Sequence, residues 1–122
     1  MILGIGTDII EISRIEKAIN RNKDFLNKLF TEKEIEMFEK RKMKPETIAG
    51  NFSAKEAISK ALGTGFRGFS FKEIEVLRDY LGKPTVYLSN NIEGIIGKGY
   101  RLNLSISHNN TSAIAFAILE DI

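Results

Sequence analysis

The chain has 122 residues, of which 43% are hydrophobic and 28% charged, with a formal net charge of +2. That composition excludes a disordered chain, and so small a charge does not argue for a nucleic-acid binder. There is no cysteine, which removes disulfides, thiol nucleophiles and zinc–thiolate sites and fits a cytoplasmic protein. No run of about 18 apolar residues is available to span a membrane. The opening MILGIGTDII lacks the basic start and small-residue cleavage site of a signal peptide. The length favours a single domain over residues 1–122 with a modest core, which assembly into an oligomer would help.

In chain order, residues 2–8 are apolar and β-branched and predict a buried strand. Ser13 and Glu16 have capping-box spacing and predict a helix start. KDFLNKLF is a short helix, and Thr31 with Glu34 opens another. Pro45 marks a break, and the longest helical pattern runs from about Glu46 to Leu62, where Gly63 is placed to end it. KEIEVLRD and PTVYL predict two strands around a turn at Gly82. SNNIEGIIGKG reads as a helix with glycine-dotted support. LNLSISH and SAIAFAIL form a hairpin around Asn109 and Asn110, residues that tolerate positive φ. The sum is α+β: a small antiparallel sheet packed on one long helix and several short ones.

On a helical wheel Ala54, Ala57, Ile58, Ala61 and Leu62 share the core face of the long helix. Lys55, Glu56, Ser59, Lys60 and Gly63 share the other. Glu56 and Lys60 stand i, i+4, so the plain account is a solvated face with one ion pair. The apolar face is narrow and alanine-rich, however, so another element approaches closely. Phe52 also sits near the polar face, where a solvated helix gains nothing from it. GTGFRG follows this helix rather than preceding one, which is the wrong order for a P-loop. It is either a C-cap and turn or a place where a ligand passes near backbone while side chains such as Lys60 hold its phosphate.

Asp8 ends an apolar run, where aspartate is uncommon. It is either a helix cap or a free carboxylate. With Glu56 it would make a sparse oxygen site of the kind that holds Mg²⁺ together with waters and substrate phosphates. His108, the only histidine, sits where the last hairpin turns and is either solvated or placed to meet a phosphate. Arg14, Lys17 and Arg21 line one helical face, and KRKMK at 40–44 is a second basic patch. Both serve solubility or dock an acidic partner.

GIGTDIIEISRI, FTEKEIEMF, FSAKEAISKALGTG, LGKPTVYL and LSISH, taken together, resemble the bacterial holo-acyl-carrier-protein synthases, the short type of 4′-phosphopantetheinyl transferase. The resemblance covers nearly the whole chain in order and spacing. It implies the fold of those transferases and transfer of the phosphopantetheine arm of coenzyme A to a serine of apo-acyl carrier protein, with release of 3′,5′-ADP, in fatty acid biosynthesis. It implies Asp8 and Glu56 as Mg²⁺ ligands, and Lys60 and His108 beside the coenzyme A phosphates. Ser59, Gly63, Thr64 and Gly65 would line the nucleotide pocket. Arg14, Arg21 and Phe25 would hold the carrier protein. It further implies a homotrimer with its sites between subunits. Two positions depart from the pattern: Asn51 where relatives commonly carry arginine, and Asp24 where some carry a basic residue. The other readings to be distinguished are a non-catalytic module docking acidic partners through the Arg14 face, and a small RNA-binding domain. Low net charge and missing base-stacking motifs argue against the second.

Overall fold

The computed structural model describes every residue except Thr64 and Lys98. Strand β1 (Ile2–Glu11) runs directly into helix α1 (Ile12–Arg21); the short helix α2 (Phe25–Leu29) and helix α3 (Glu32–Lys40) follow. The long helix α4 (Pro45–Ala61) leads to a 3₁₀ turn (Phe71–Glu73), strands β2 (Ile74–Arg78) and β3 (Pro84–Leu88), and helix α5 (Asn90–Ile96). Strands β4 (Tyr100–His108) and β5 (Ser112–Asp121) close the chain. The expected α+β architecture is present. Its strands form two sheets: a three-stranded antiparallel sheet in the order β1-β5-β4, and a separate β2–β3 hairpin.

Register decides which side of the larger sheet is covered. Gly4, Gly6, Asp8 and Ile10 of β1 lie opposite Leu119, Ala117, Ala115 and Ala113 of β5, and that row faces α4. The approach is so close that a Cβ on Gly6 would overlap the Ala57 carbonyl oxygen, and one on Gly4 the Ala61 carbonyl oxygen. The glycines of GIG therefore seat the alanine stripe of α4 against β1. One core lies between α4 and the two sheets, around Ile58, Ile74, Val76 and Ile92. A second lies on the other side of α4 beneath α1–α3, around Ile15, Phe30, Phe38 and Ile48. Packed on both sides, α4 is buried along most of its length.

Three local expectations change. Residues 2–8 lie in a strand, but as an edge strand with one bare face: Ile5 is 61% and Ile9 67% exposed. Helix α1 starts at Ile12 with Glu11 as its N-cap and no side-chain cap, so Ser13 falls inside the first turn. The chain enters α1 straight from β1, and the Ile12 N–H is satisfied by the Thr111 carbonyl instead (2.9 Å). At the last turn Asn109 and Asn110 do not take positive φ. Asn109 closes the turn through its side chain, whose Oδ1 accepts from the Thr111 and Ser112 N–H groups (2.9 and 2.8 Å). The capping box at Thr31 and Glu34 is present with both reciprocal bonds.

Candidate active site

The helix-facing side of β1 carries one acid, Asp8, and the middle of α4 presents Glu56 beside it. Ser53, one turn before Glu56, fixes the first carboxylate. Its hydroxyl lies 2.8 Å from the Asp8 carbonyl oxygen and 3.1 Å from Oδ2. Lys60, one turn after Glu56, donates from Nζ to the Thr7 carbonyl (2.9 Å) and stands 3.5 Å from Asp8 Oδ1. Asp8 is thus a braced side chain at a strand–helix contact and not a helix cap. The i, i+4 pairing of Glu56 with Lys60 is absent among the described ion pairs, because Lys60 is drawn to Asp8. The Glu56 carboxyl is held above its ordinary range, first by burial, then by the Asp8 charge, with Lys60 opposing both. Two half-buried carboxylates in mutual repulsion, with an amine beside Asp8, make a donor set suited to a hard divalent cation. With only two protein ligands, water and substrate oxygens would fill the rest of its shell. No cluster of three or more acidic, histidine or cysteine ligands exists among the described residues, so a preformed cage of the calcium or zinc kind is not on offer.

Beyond this pair, Gly63 follows the end of α4 at φ +81° and Gly65 sits at φ +59°. A side chain at either would meet no atom within 4 Å; what glycine supplies here is the left-handed backbone. Thr64 lies outside the described residues. Ser59 is 2% exposed, and its hydroxyl donates back to the Glu56 carbonyl (2.7 Å), so it is not open to a ligand in this chain.

The structure does not bring His108 to the pair. His108 lies opposite Ala113, which lies opposite Ile10, so it is two strands, or about 10 Å, across the sheet from β1. It opens instead on a cleft of about 430 Å³ with Lys40, Arg41, Lys42, Lys44, Glu46 and Thr47. Arg14 and Arg21 are exposed on α1 and carry no ion pair among the described residues. Phe25 is half-buried against the second core. Asp24, also exposed, adjoins this face at the start of α2.

The sequence reading assigns nothing to Ser53 and does not place Lys55 or Asn51 in the interior. Ser53 stands i, i+3 to Glu56, a spacing that signals a shared face. Lys55 belongs to the polar face of the wheel yet is fully buried, paired with Glu34 at 2.7 Å; its partner is 21 residues away, beyond any local pattern. Asn51 is buried too, donating to the Val76 carbonyl (2.9 Å) and to Glu34 Oε2 (3.3 Å). It therefore serves the interior and contacts no ligand from this position. Phe52, the other unexplained residue of the polar face, stacks on Phe71 with ring centroids 5.4 Å apart.

A buried α4 is pinned to a G-x-D strand and carries a second acid and a lysine on the same helix. The chain belongs to the 4′-phosphopantetheinyl transferase superfamily, whose model matches residues 4–118. Within that superfamily its kin are the holo-[acyl-carrier-protein] synthases. The holo-[acyl-carrier-protein] synthase of Clostridium perfringens (strain SM101 / Type A) is 61% identical over 98% of this chain and 95% of its own. The crystal structure of the Bacillus anthracis synthase in complex with CoA (3′,5′-ADP) is 40% identical with a TM-score of 0.83, covering 100% of this chain and 99% of that one. The Helicobacter pylori synthase in complex with coenzyme A is 36% identical with a TM-score of 0.85, over 95% and 99%.

Proposed function

We propose that Asp8 and Glu56 hold a magnesium ion for the pyrophosphate of coenzyme A, and that Lys60 shares the charge that develops there. The chain is a transferase that moves the 4′-phosphopantetheine arm of coenzyme A to a serine of apo-acyl carrier protein and releases 3′,5′-ADP. The observation that carries the residue assignment is the convergence of the two carboxylates, with the Glu56 carboxyl raised by burial and by Asp8.

In the reaction the serine hydroxyl gives up its proton to solvent as its oxygen forms a bond to the phosphorus bearing the pantetheine arm. The bond from that phosphorus to the bridging oxygen of 3′,5′-ADP breaks. Such a displacement needs positioning and charge neutralisation more than covalent help. A magnesium ion held by Asp8 and Glu56 would supply Lewis-acid neutralisation of the phosphate oxygens. The chain supplies the rest. Ser53 fixes the rotamer of Asp8, so the carboxylate is set before substrate arrives. Lys60, with its side chain 54% exposed, is free to exchange its long contact with Asp8 for a phosphate oxygen. Gly63 and Gly65, with Thr64 between them, let the nucleotide pass close to backbone, and Ser59 braces the helix turn behind them.

Arg14, Arg21 and Phe25 form the dock for the carrier. Their positive charge beside a half-buried ring suits an acidic partner. His108 reaches the phosphates from a neighbouring subunit. This rests on its distance from Asp8 within one chain, and on the bare apolar face of β1 and β5, where Ile5, Ile9, Ile114 and Phe116 stand exposed. A homotrimer with sites between subunits meets both conditions. No helix among the described residues is long and apolar enough to cross a membrane.

The test is the intact mass of apo-acyl carrier protein after incubation with coenzyme A. A gain of one phosphopantetheine arm is expected with Mg²⁺, and none with EDTA or with Glu56→Ala. Undiminished transfer by Glu56→Ala would remove Glu56 from the site.

A further inference from the structure

The residue before Glu56 lies in the interior, and its contacts reach three other parts of the fold. Lys55 has no exposed surface. An ammonium has three protons to give, and each finds an oxygen: Glu34 Oε1 at 2.7 Å, the Leu29 carbonyl at 2.8 Å and the Phe71 carbonyl at 2.9 Å. Leu29 is the last residue of α2, the helix that begins with Phe25. Glu34 is the N3 residue of the α3 capping box. Phe71 opens the 3₁₀ turn, and its ring stacks on Phe66 of the glycine-rich loop at 4.1 Å. One buried cation therefore joins the end of the carrier-facing helix, the start of α3 and the segment following the glycine loop. All three are fastened to the turn of α4 that presents Glu56.

A buried salt bridge is weak evidence for stability, since desolvation cancels much of the attraction. Two of the three bonds here go to carbonyls of separate chain segments, which fixes their relative placement whatever the net energy. We infer that Lys55 is a positioning residue: it sets the register of α4 against the docking helix and the glycine loop, and thereby aims Glu56. This deepens the metal reading above and rests on it.

The experiment uses Lys55→Met, the charge-balanced pair Glu34→Gln/Lys55→Met, and the unmodified protein, each checked for folding by its melting transition. In the folded variants kcat should fall roughly tenfold or more, and the Mg²⁺ needed for half-maximal rate should rise several-fold. The KM for coenzyme A should stay within about twofold, because misaimed catalytic geometry leaves uniform binding intact. A purely structural lysine would lower the melting temperature and leave these constants at wild-type values; that outcome in either folded variant overturns the proposal. Should neither variant fold, the unmodified protein decides. The ¹⁵Nζ resonance of Lys55, protected by its three bonds, should move when Mg²⁺ alone is added and stay still in Glu56→Gln. A resonance indifferent to Mg²⁺ overturns the proposal. Failure of the metal reading itself looks different: Glu56→Gln would keep its Mg²⁺-dependent rate.

Discussion

Burial and the neighbouring Asp8 charge both hold the Glu56 carboxyl above the usual glutamate range. Its ionised form is therefore disfavoured by the fold in the metal-free protein. The linkage has a definite sign. A carboxyl whose folded pKa is raised binds its proton more tightly when folded, so its contribution to stability is lost as pH climbs from the ordinary value through the raised one. Removing the charge should then help: Glu56→Gln should melt on the order of 2 °C higher than wild type at neutral pH without metal, a modest gain because the group is open to solvent. Mg²⁺ should raise the melting temperature of the wild type and not of the variant. At limiting Mg²⁺, transfer activity should fall on acidification as Glu56 takes up its proton, since the protonated acid cannot hold a cation. Equal melting temperatures with and without the charge, measured by calorimetry in low salt, would count against the repulsion. Part of this was legible in the sequence: an acid ending an apolar strand stands out against propensity, whereas Glu56 reads first as half of a solvated ion pair with Lys60. Lys55 was not legible, because a helical wheel sorts residues by angle and α4 is packed on both sides.

Among the elements, the contact of β1 with α4 places Asp8 beside Glu56, and glycine is what allows it. Gly6→Ala would drive a methyl into the Ala57 carbonyl, and backbone cannot move aside as a side chain does. The cost should be about 3 kcal/mol or more, with activity falling in step as the strand lifts from the helix. Gly94 provides the control. It lies inside α5, where an added Cβ would meet no atom within 4 Å, and its φ is not positive, so Gly94→Ala should stabilise by about 0.5–1 kcal/mol. Urea unfolding of both checks the pair; a Gly6→Ala protein as stable as wild type would mean the close approach is not needed. Sequence alone predicted the closeness from the narrow alanine stripe but could not say that GIG was its complement. The two segments are about 50 residues apart, and pairing at that range leaves no periodic signature. Capping boxes behave likewise: Thr31 with Glu34 is realised because the chain turns there, whereas Ser13 with Glu16 has the same spacing and is overridden by a strand that feeds straight into α1.

At the scale of the molecule, the first strand reads as buried because residues 2–8 are apolar and β-branched, and a single chain leaves one of its faces bare. Ile5, Ile9, Ile114 and Phe116 form its apolar stripe, while Asn103, Ser105 and Ser107 of β4 continue it as a polar margin. A stripe of this kind on a small protein is what a subunit contact would cover, and the proposed trimer accounts for both the strand pattern and the distant histidine. If each site takes Asp8 and Glu56 from one subunit and His108 from the next, two inactive variants can repair one another. Glu56→Ala and His108→Ala chains, unfolded and refolded together in equal amounts, assemble at random. An intact interface then needs a His108→Ala chain supplying the acids and a Glu56→Ala chain supplying the histidine in the right order, which is about a quarter of all interfaces in a cyclic assembly. Transfer activity should thus recover to about a quarter of wild type, while each variant alone stays low. A Phe116→Asp change in the stripe should abolish assembly, seen as a monomer by light scattering, and with it the recovery. Mixtures no more active than their parents would place both groups in the same subunit. The β1–β4 separation would then have to close within one chain, against the register that β5 imposes between them.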